Sequence, residues 1–325
     1  MRALITGWFG FLHGEATAGD VGAAVTVAAA LREAGIPHDL GRSPNVRLDG
    51  PVLDDLDPAD YGLLLFVCGP AHGWQVRDLH TRFAHCRRVA VGVSVIDPDD
   101  PAVRGFDTVI PRDAPGTAPR PDLAAAAPHR PAVPVVGVVA APRQPEYGDG
   151  GDHDDVHAEL AAWLTAKDCA RVPLDTRLDA ADWRHCAAYG QFDALVRRVD
   201  LVVSTRLHGL VFALRSGVPA IAVDPVPGGA KVSAQARALG WPAVAVREPG
   251  EPLGRDRLDG LWDWCLSPAA RARAGWAAAT ARDRSPLVAD LLAAVVAHRV
   301  PRPADALAAE LPRDPDAGAG TLQGA

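Results

Sequence analysis

The chain has 325 residues, 33 of them basic and 40 acidic, for a net charge of −7. That balance excludes a chain-wide basic footprint for nucleic acid, and a length of about twice 150 residues points to two domains. With 48% hydrophobic and 22% charged residues, the composition excludes wholesale disorder and provides for a sizeable core.

In chain order, Ala3–Thr6 reads as a short apolar strand feeding a glycine-rich loop, Gly7 to Gly19. A helix is expected from near Asp20, with Val21, Val25, Val27 and Leu31 as its apolar positions, stopping at Gly35 before Pro37. Gly62–Val67 is a continuous apolar run, the pattern of a strand covered on both faces. The loop Cys68–Gly73 follows, then a candidate helix over Gln75–Arg87, a strand over Val89–Ile96 and an edge strand over Phe106–Ile110. Prolines crowd between Pro111 and Pro134 with few large apolar side chains, which is linker composition.

The alternation then resumes. Strands are expected at Val135–Ala140, Ala170–Leu174, Leu201–Ser204, Ala220–Val223 and Ala243–Val246. Helices are expected at Val156–Ala166, Tyr189–Arg198, Leu207–Ser216 and Val232–Leu239, and two more over Leu258–Val300. The predicted organisation is therefore an α/β domain over 1–120, a linker over 121–134, a second α/β domain over 135–300 and a largely disordered tail over 301–325. Both domains should carry a parallel sheet with helices on its two faces, and the loops after the strands are where a ligand should sit.

No apolar run of about 18 residues is free of charges or breakers, so no membrane span is expected. The opening Met1-Arg2-Ala3-Leu4-Ile5-Thr6 has no long apolar stretch of a secretory leader, and a cytoplasmic location is expected. Cys68, Cys86, Cys169, Cys186 and Cys265 form no CxxC pair and read as reduced, mostly buried thiols. His153 and His157 are spaced i, i+4 beside Asp152, Asp154 and Asp155, but without a third ligand they read as a solvated acidic helix start and no metal site is assigned. Trp8, Trp74 and Trp183 offer rings that could stack on sugars, but most of the eight tryptophans read as core or half-buried packing residues.

The segment Asp200–Asp224 is the most informative. It reads strand, turn, helix, glycine stop at Gly217, proline at Pro219, strand. Arg206 and His208 fall on the first turn of its helix, where the macrodipole disfavours cations by up to about 1 kcal/mol. Two basic groups there make sense if an anion binds. Lys231, one of only two lysines in the chain, follows the next strand and faces the same crevice. Arg143 follows the strand Val135–Ala140 and is a further strand-end cation. The glycine loop before Asp20 permits close backbone approach, but its spacing is not GxGxxG, so nicotinamide binding is not supported. Asp20 itself is consistent with an N-cap.

Taken together, Ser204-Thr205-Arg206-Leu207-His208-Gly209, the run Gly217-Val218-Pro219-Ala220-Ile221-Ala222-Val223-Asp224-Pro225 and Lys231 resemble the polysaccharide pyruvyl transferase family. The strand leading to Arg143 and the N-terminal Ala18-Gly19-Asp20 are similar to further motifs of that family. The resemblance implies a fold like GT-B glycosyltransferases, two Rossmann-like domains facing a cleft, with no cofactor. It also implies phosphoenolpyruvate as donor and a saccharide with two nearby hydroxyls as acceptor. On that reading Arg143, Arg206 and Lys231 clamp the donor, Gly19 and Asp20 belong to the substrate site, and His208 is the acid–base residue. The chain departs from the pattern at Asp224, where a tyrosine is usual, at Thr17, where an asparagine is usual, and in the seven-residue spacing from Asp224 to Lys231. The longer loop and its added carboxylate are expected to change the donor side or the acceptor pocket. Two other readings stay open: a nucleotide-sugar glycosyltransferase of the same fold, and a non-catalytic member that binds an anion or a partner. An oligomer is compatible with either.

Overall fold

A computed structural model describes residues 2–140, 152–281 and 285–297. The chain divides into two units, Met1–Pro131 and Ala132–Ala325.

In unit 1, β1 (Ala3–Thr6), β2 (His38–Leu40), β3 (Leu63–Val67), β4 (Arg87–Ser94) and β5 (Thr108–Asp113) form one parallel sheet in the order β2-β1-β3-β4-β5. Alternate residues of the central strands feed two cores. Leu4, Leu64 and Phe66 join Val76 and Leu79 of α2 (Trp74–Arg82) and Val103 of α3 (Pro101–Arg104). Ile5, Leu65 and Val67 join Ala23, Ala24 and Ala28 of α1 (Ala18–Glu33). Burial on both faces is why these strands read as unbroken apolar runs.

Helix α1 starts at Ala18, ahead of the expected Asp20, because Thr17 caps it. The Asp20 amide donates to Thr17 Oγ1 at 3.2 Å and Asp20 Oδ2 accepts from the Thr17 amide at 3.1 Å, a reciprocal capping box. Asp20 is thus the third helical residue and not the N-cap. The helix expected over Gln75–Arg87 ends at Arg82, since the chain turns at Phe83 to enter β4. Within the proline-rich stretch, Leu123 packs against the α1 core, and Thr26 Oγ1 donates to the Leu123 carbonyl at 3.0 Å.

In unit 2, β6 (Val135–Val139), β7 (Ala170–Pro173), β8 (Leu201–Ser204), β9 (Ala220–Asp224) and β10 (Val244–Val246) form a second parallel sheet, ordered β10-β9-β8-β6-β7. Its described helices are α4 (His153–Ala166), α5 (Tyr189–Val196), α6 (Leu207–Arg215), α7 (Lys231–Ala238), α8 (Arg255–Cys265), α9 (Pro268–Ala281) and α10 (Pro286–Ala297). Three helices replace the two expected near the C-terminus, because Ser267-Pro268 and Ser285-Pro286 each restart the chain as a helix. Buried Val202, Val203, Ile221 and Val223 pack with Trp163, Trp241 and Trp262. Gly217 adopts φ 74° at the end of α6, and the Val218 amide reaches back to the Ala213 carbonyl at 2.9 Å. This is the left-handed helix stop that the glycine and the following Pro219 foretold.

The two-unit α/β fold expected from the alternation is therefore present. Within each unit the strands are ordered 2-1-3-4-5, a doubly wound sheet whose topological switch point lies between its first and third strands. The expected tail over 301–325 lies outside the described residues. Cys68, Cys86 and Cys265 are free and buried. Trp163, Trp241 and Trp262 are buried, while Trp74 and Trp183 are exposed. Among the described residues no helix is long and apolar enough to cross a membrane.

Candidate functional site at the strand ends of unit 2

The turn that leaves β8 is built by short polar side chains. Ser204 Oγ accepts from the Arg206 amide at 3.0 Å and donates to the Arg206 carbonyl at 2.8 Å. The Thr205 amide donates to the Val139 carbonyl at 3.0 Å, extending the β6–β8 ladder by one rung. Arg206 then takes the N-cap position of α6 in extended geometry, φ −107° and ψ 137°. Gly209 fits because a Cβ there would overlap Ser204 Oγ and approach Val139 Cβ to 3.2 Å. Glycine is what allows the first turn of α6 to lie directly on the strand ends.

Arg206 is the residue the fold positions most tightly. Its side chain is 21% exposed, with Nη1 donating to Thr176 Oγ1 at 3.0 Å and lying 3.9 Å from Asp175 Oδ1. Asp175 and Thr176 follow β7, and β7 and β8 flank β6, so the guanidinium lies across the end of β6 at the switch point. Its Nε is buried and has no hydrogen-bond partner among the described residues. An orphaned charged donor in that position is costly unless something accepts from it. Thr176 carried no motif that would have singled it out in the sequence.

His208 is exposed on the first turn of α6. Lys231 is the first residue of α7, which follows β9, the neighbour of β8 in the sheet. Arg206, His208 and Lys231 therefore come from two adjacent strand-end loops of one unit. Arg143 lies outside the described residues. Gly19 and Asp20 belong to unit 1, on the first turn of α1, and the Asp20 carboxylate is engaged by the Thr17 amide and hydroxyl.

The loop from β9 to Lys231 is organised by Asp224, which is 1% exposed. Its Oδ2 accepts from the Ala230 amide at 2.7 Å and from both the amide and hydroxyl of Ser233 at 2.8 Å, while Oδ1 accepts from the Val226 amide at 3.2 Å. This added carboxylate is buried in its own loop, where it caps α7. Glycines 228 and 229, at φ 75° and 87°, let the backbone close around it.

His153 and His157 are not the solvated pair expected. His153 is 1% exposed and His157 is half-buried, because the start of α4 packs against the β8 turn, where His157 Nε2 lies 3.1 Å from Thr205 Oγ1. Burial, followed by the neighbouring His153, moves the His157 pKa below its ordinary value, so the ring is neutral at pH 7. Among the described residues no group of three His, Cys, Asp or Glu side chains could hold a metal ion.

Unit 2 is thus a doubly wound α/β sheet with an underpartnered arginine at its switch point. Residues 190–225, spanning Arg206 and His208, match the family model for polysaccharide pyruvyl transferase. That match supports a saccharide-modifying transferase. No curated protein sequence matches the chain. Similar solved structures include the glycotransferase of kitacinnamycin, 14% identical over 85% of this chain and 93% of that one, with a TM-score of 0.31. The spinosyn forosaminyltransferase SpnP is 15% identical over 91% and 99% respectively, with a TM-score of 0.33. The glycosyltransferase SnogD from Streptomyces nogalater is 16% identical over 90% and 99%, with a TM-score of 0.30. Likeness at those scores carries no argument about what this chain does.

Proposed function

We propose that this protein transfers a pyruvyl group from phosphoenolpyruvate to two hydroxyls of a saccharide, forming a pyruvate ketal and releasing phosphate. The observation that carries the reading is Arg206. It is held at the switch point with a buried Nε that has no partner among the described residues, where its charge is faced by the Thr176 hydroxyl and by the Asp175 carboxylate at 3.9 Å. Phosphoenolpyruvate brings a carboxylate and a phosphate, both able to accept a forked pair of hydrogen bonds from a guanidinium. Lys231, at the start of a helix on the adjacent loop, supplies a second cation to the same edge.

Overall, the donor's methylene carbon takes a proton and becomes a methyl. Its central carbon forms bonds to both acceptor oxygens as the bond to the phosphate oxygen breaks, and the phosphate departs with the remaining proton. His208, exposed on the same turn as Arg206, serves one of these proton transfers. The resemblance to pyruvyl transferases and the match over residues 190–225 support the same assignment.

Calorimetric titration with phosphoenolpyruvate, with UDP and CMP as comparators, tests the reading. Saturable phosphoenolpyruvate binding, abolished in Arg206→Ala and weakened in Lys231→Ala, is expected, followed by phosphate release with a suitable acceptor. Unchanged phosphoenolpyruvate affinity in Arg206→Ala sinks the anion clamp, and binding of a nucleotide instead points to nucleotide-sugar transfer.

A further inference from the structure

The first two turns of α4 carry a feature that donor binding by Arg206 does not explain. His153 and His157 lie one turn apart with ring centroids 6.4 Å from each other and planes at 89°. Among the described residues neither ring nitrogen of the buried His153 has a partner, whereas His157 reaches Thr205. A cavity of about 250 Å³ adjoins the contact, between α4 and the ends of β6 and β8. Its described wall is apolar, with Val139, Leu160, Leu164 and Val203 among the residues, except for His157 and Thr205. Between apolar walls a single polar contact is directional and hard for water to replace.

We propose that His157 is a positioning residue for the anion site: it fixes the Thr205 hydroxyl, and through Thr205 the backbone turn that aims Arg206. The chain of contacts is short. His157 holds Thr205, the Thr205 amide is pinned to Val139 of β6, and the next residue is Arg206 at the N-cap of α6. On the other side of the turn, Ser204 and Thr176 hold the Arg206 backbone and guanidinium. Without His157 the turn loses the bond that ties Thr205 to α4, while the Ser204 and Thr176 ties persist. The guanidinium then samples more orientations and binds anions less tightly, with the fold intact. His153 contributes the second ring of the pair, packed behind His157 where it excludes water.

This inference rests on the anion-site reading above, so its test uses two anions, phosphoenolpyruvate and inorganic pyrophosphate, each titrated calorimetrically. His157→Phe keeps a ring in place and removes both nitrogens, Thr205→Val removes the hydroxyl at nearly constant shape, and His157→Gln restores a polar group. Each of the first two variants should weaken anion binding about tenfold, the double variant should lose no more than the worse single, and His157→Gln should recover most of the affinity. Amide hydrogen exchange over Thr205–Leu210 should quicken in His157→Phe and return towards the wild-type rate in His157→Gln. Wild-type affinity in both single variants overturns the proposal, as does a Gln variant that binds as weakly as Phe. Pyrophosphate binding without phosphoenolpyruvate binding would defeat the pyruvyl reading and leave the His157 assignment to be decided on pyrophosphate. A wild type that binds neither anion overturns both.

Discussion

Replacing Asp224 by alanine removes an acceptor that serves three backbone amides and one hydroxyl. Val226 and Ala230 are half-buried, so water can reach their amides once the carboxylate is gone, but Ser233 is 2% exposed and its amide is stranded. A stranded buried donor costs about 1–3 kcal/mol, and each bond exchanged for water about 0.5–1.5 kcal/mol. The sum is about 4 kcal/mol, within about 2–6 kcal/mol. For a domain of this size that corresponds to a melting temperature lower by roughly 8–16 °C. Asp224→Asn keeps one oxygen, which can take over the Ala230 and Ser233 bonds, but turns an amide group against the Val226 amide, at about 1–2 kcal/mol. Thermal melts followed by tryptophan fluorescence read this directly, since Trp163, Trp241 and Trp262 lie in the core of unit 2. Lys231 opens the helix that Asp224 caps, so the alanine variant should also weaken anion binding. An alanine variant melting within 1 °C of wild type, or an asparagine variant no better than alanine, would refute the assignment of Asp224 as the anchor of this loop.

Gly209→Ala should lose about 1–3 kcal/mol and weaken anion binding together, because its Cβ has to displace Ser204 Oγ from the turn it organises. Calorimetry and melting on one preparation check whether both move; a variant that moves neither removes the steric argument. Burial depresses the pKa of His80, and burial together with His153 depresses that of His157. The unfolded chain then binds more protons than the folded one, so the stability these residues contribute is present above about pH 6.5 and is lost as the pH falls through their lowered values. Urea midpoints at pH 7.5 and 5.5 should accordingly differ less in His157→Gln than in wild type, and an equal or larger difference counts against the burial assignment. Arg112→Ala should lower the stability of unit 1, by strain and lost hydrogen bonds to Ser94, Asp113 and Asp122, while leaving phosphoenolpyruvate affinity unchanged; a loss of affinity with the melting temperature preserved would relocate the anion site.

How much the sequence discloses depends on how local the signal is. The parallel strands were legible because both of their faces are buried, which writes runs such as Leu63–Val67 and Leu201–Val203 as unbroken apolar segments. Strand β2 was not legible: His38-Asp39-Leu40 is short and polar, and its place is set by tertiary bonds, Asp39 accepting from Arg2 and from Tyr61. Gly217 announced its own left-handed helix stop, whereas Asp20 was misplaced by three positions because a capping box makes its third residue look like its first. At the candidate site, Arg206 and His208 stood out as cations against a helix dipole, a contradiction visible within six residues. Thr176 and the buried His153–His157 pair did not, since their meaning comes from elements that meet only when β7, β6 and β8 lie side by side. Asp224 was legible only as a departure from the family pattern, and its role in organising its own loop comes from burial and from an amide nine residues away.

The two units provide an internal comparison that argues where the ligand belongs. Both sheets share the order 2-1-3-4-5, and both place an arginine in the C-terminal strand-end region, Arg112 in unit 1 and Arg206 in unit 2. Arg112 is satisfied within its own unit. It donates to Asp113 at 2.8 Å, Asp122 at 2.5 Å and Ser94 at 2.6 Å, and two carboxylates hold its charge in place. The edge around it is closed chemically as well: burial pushes the Cys68 thiol up to about 11, which keeps it neutral at pH 7. Among the described residues Arg206 has one hydroxyl within bonding distance, a carboxylate at the limit of an ion pair, and a buried Nε with no acceptor. The same topology thus ends in a saturated arginine on one sheet and an unsaturated one on the other. On the proposed reading, an anion bound at the switch point of unit 2 supplies the acceptor that this buried guanidinium donor lacks among the described residues.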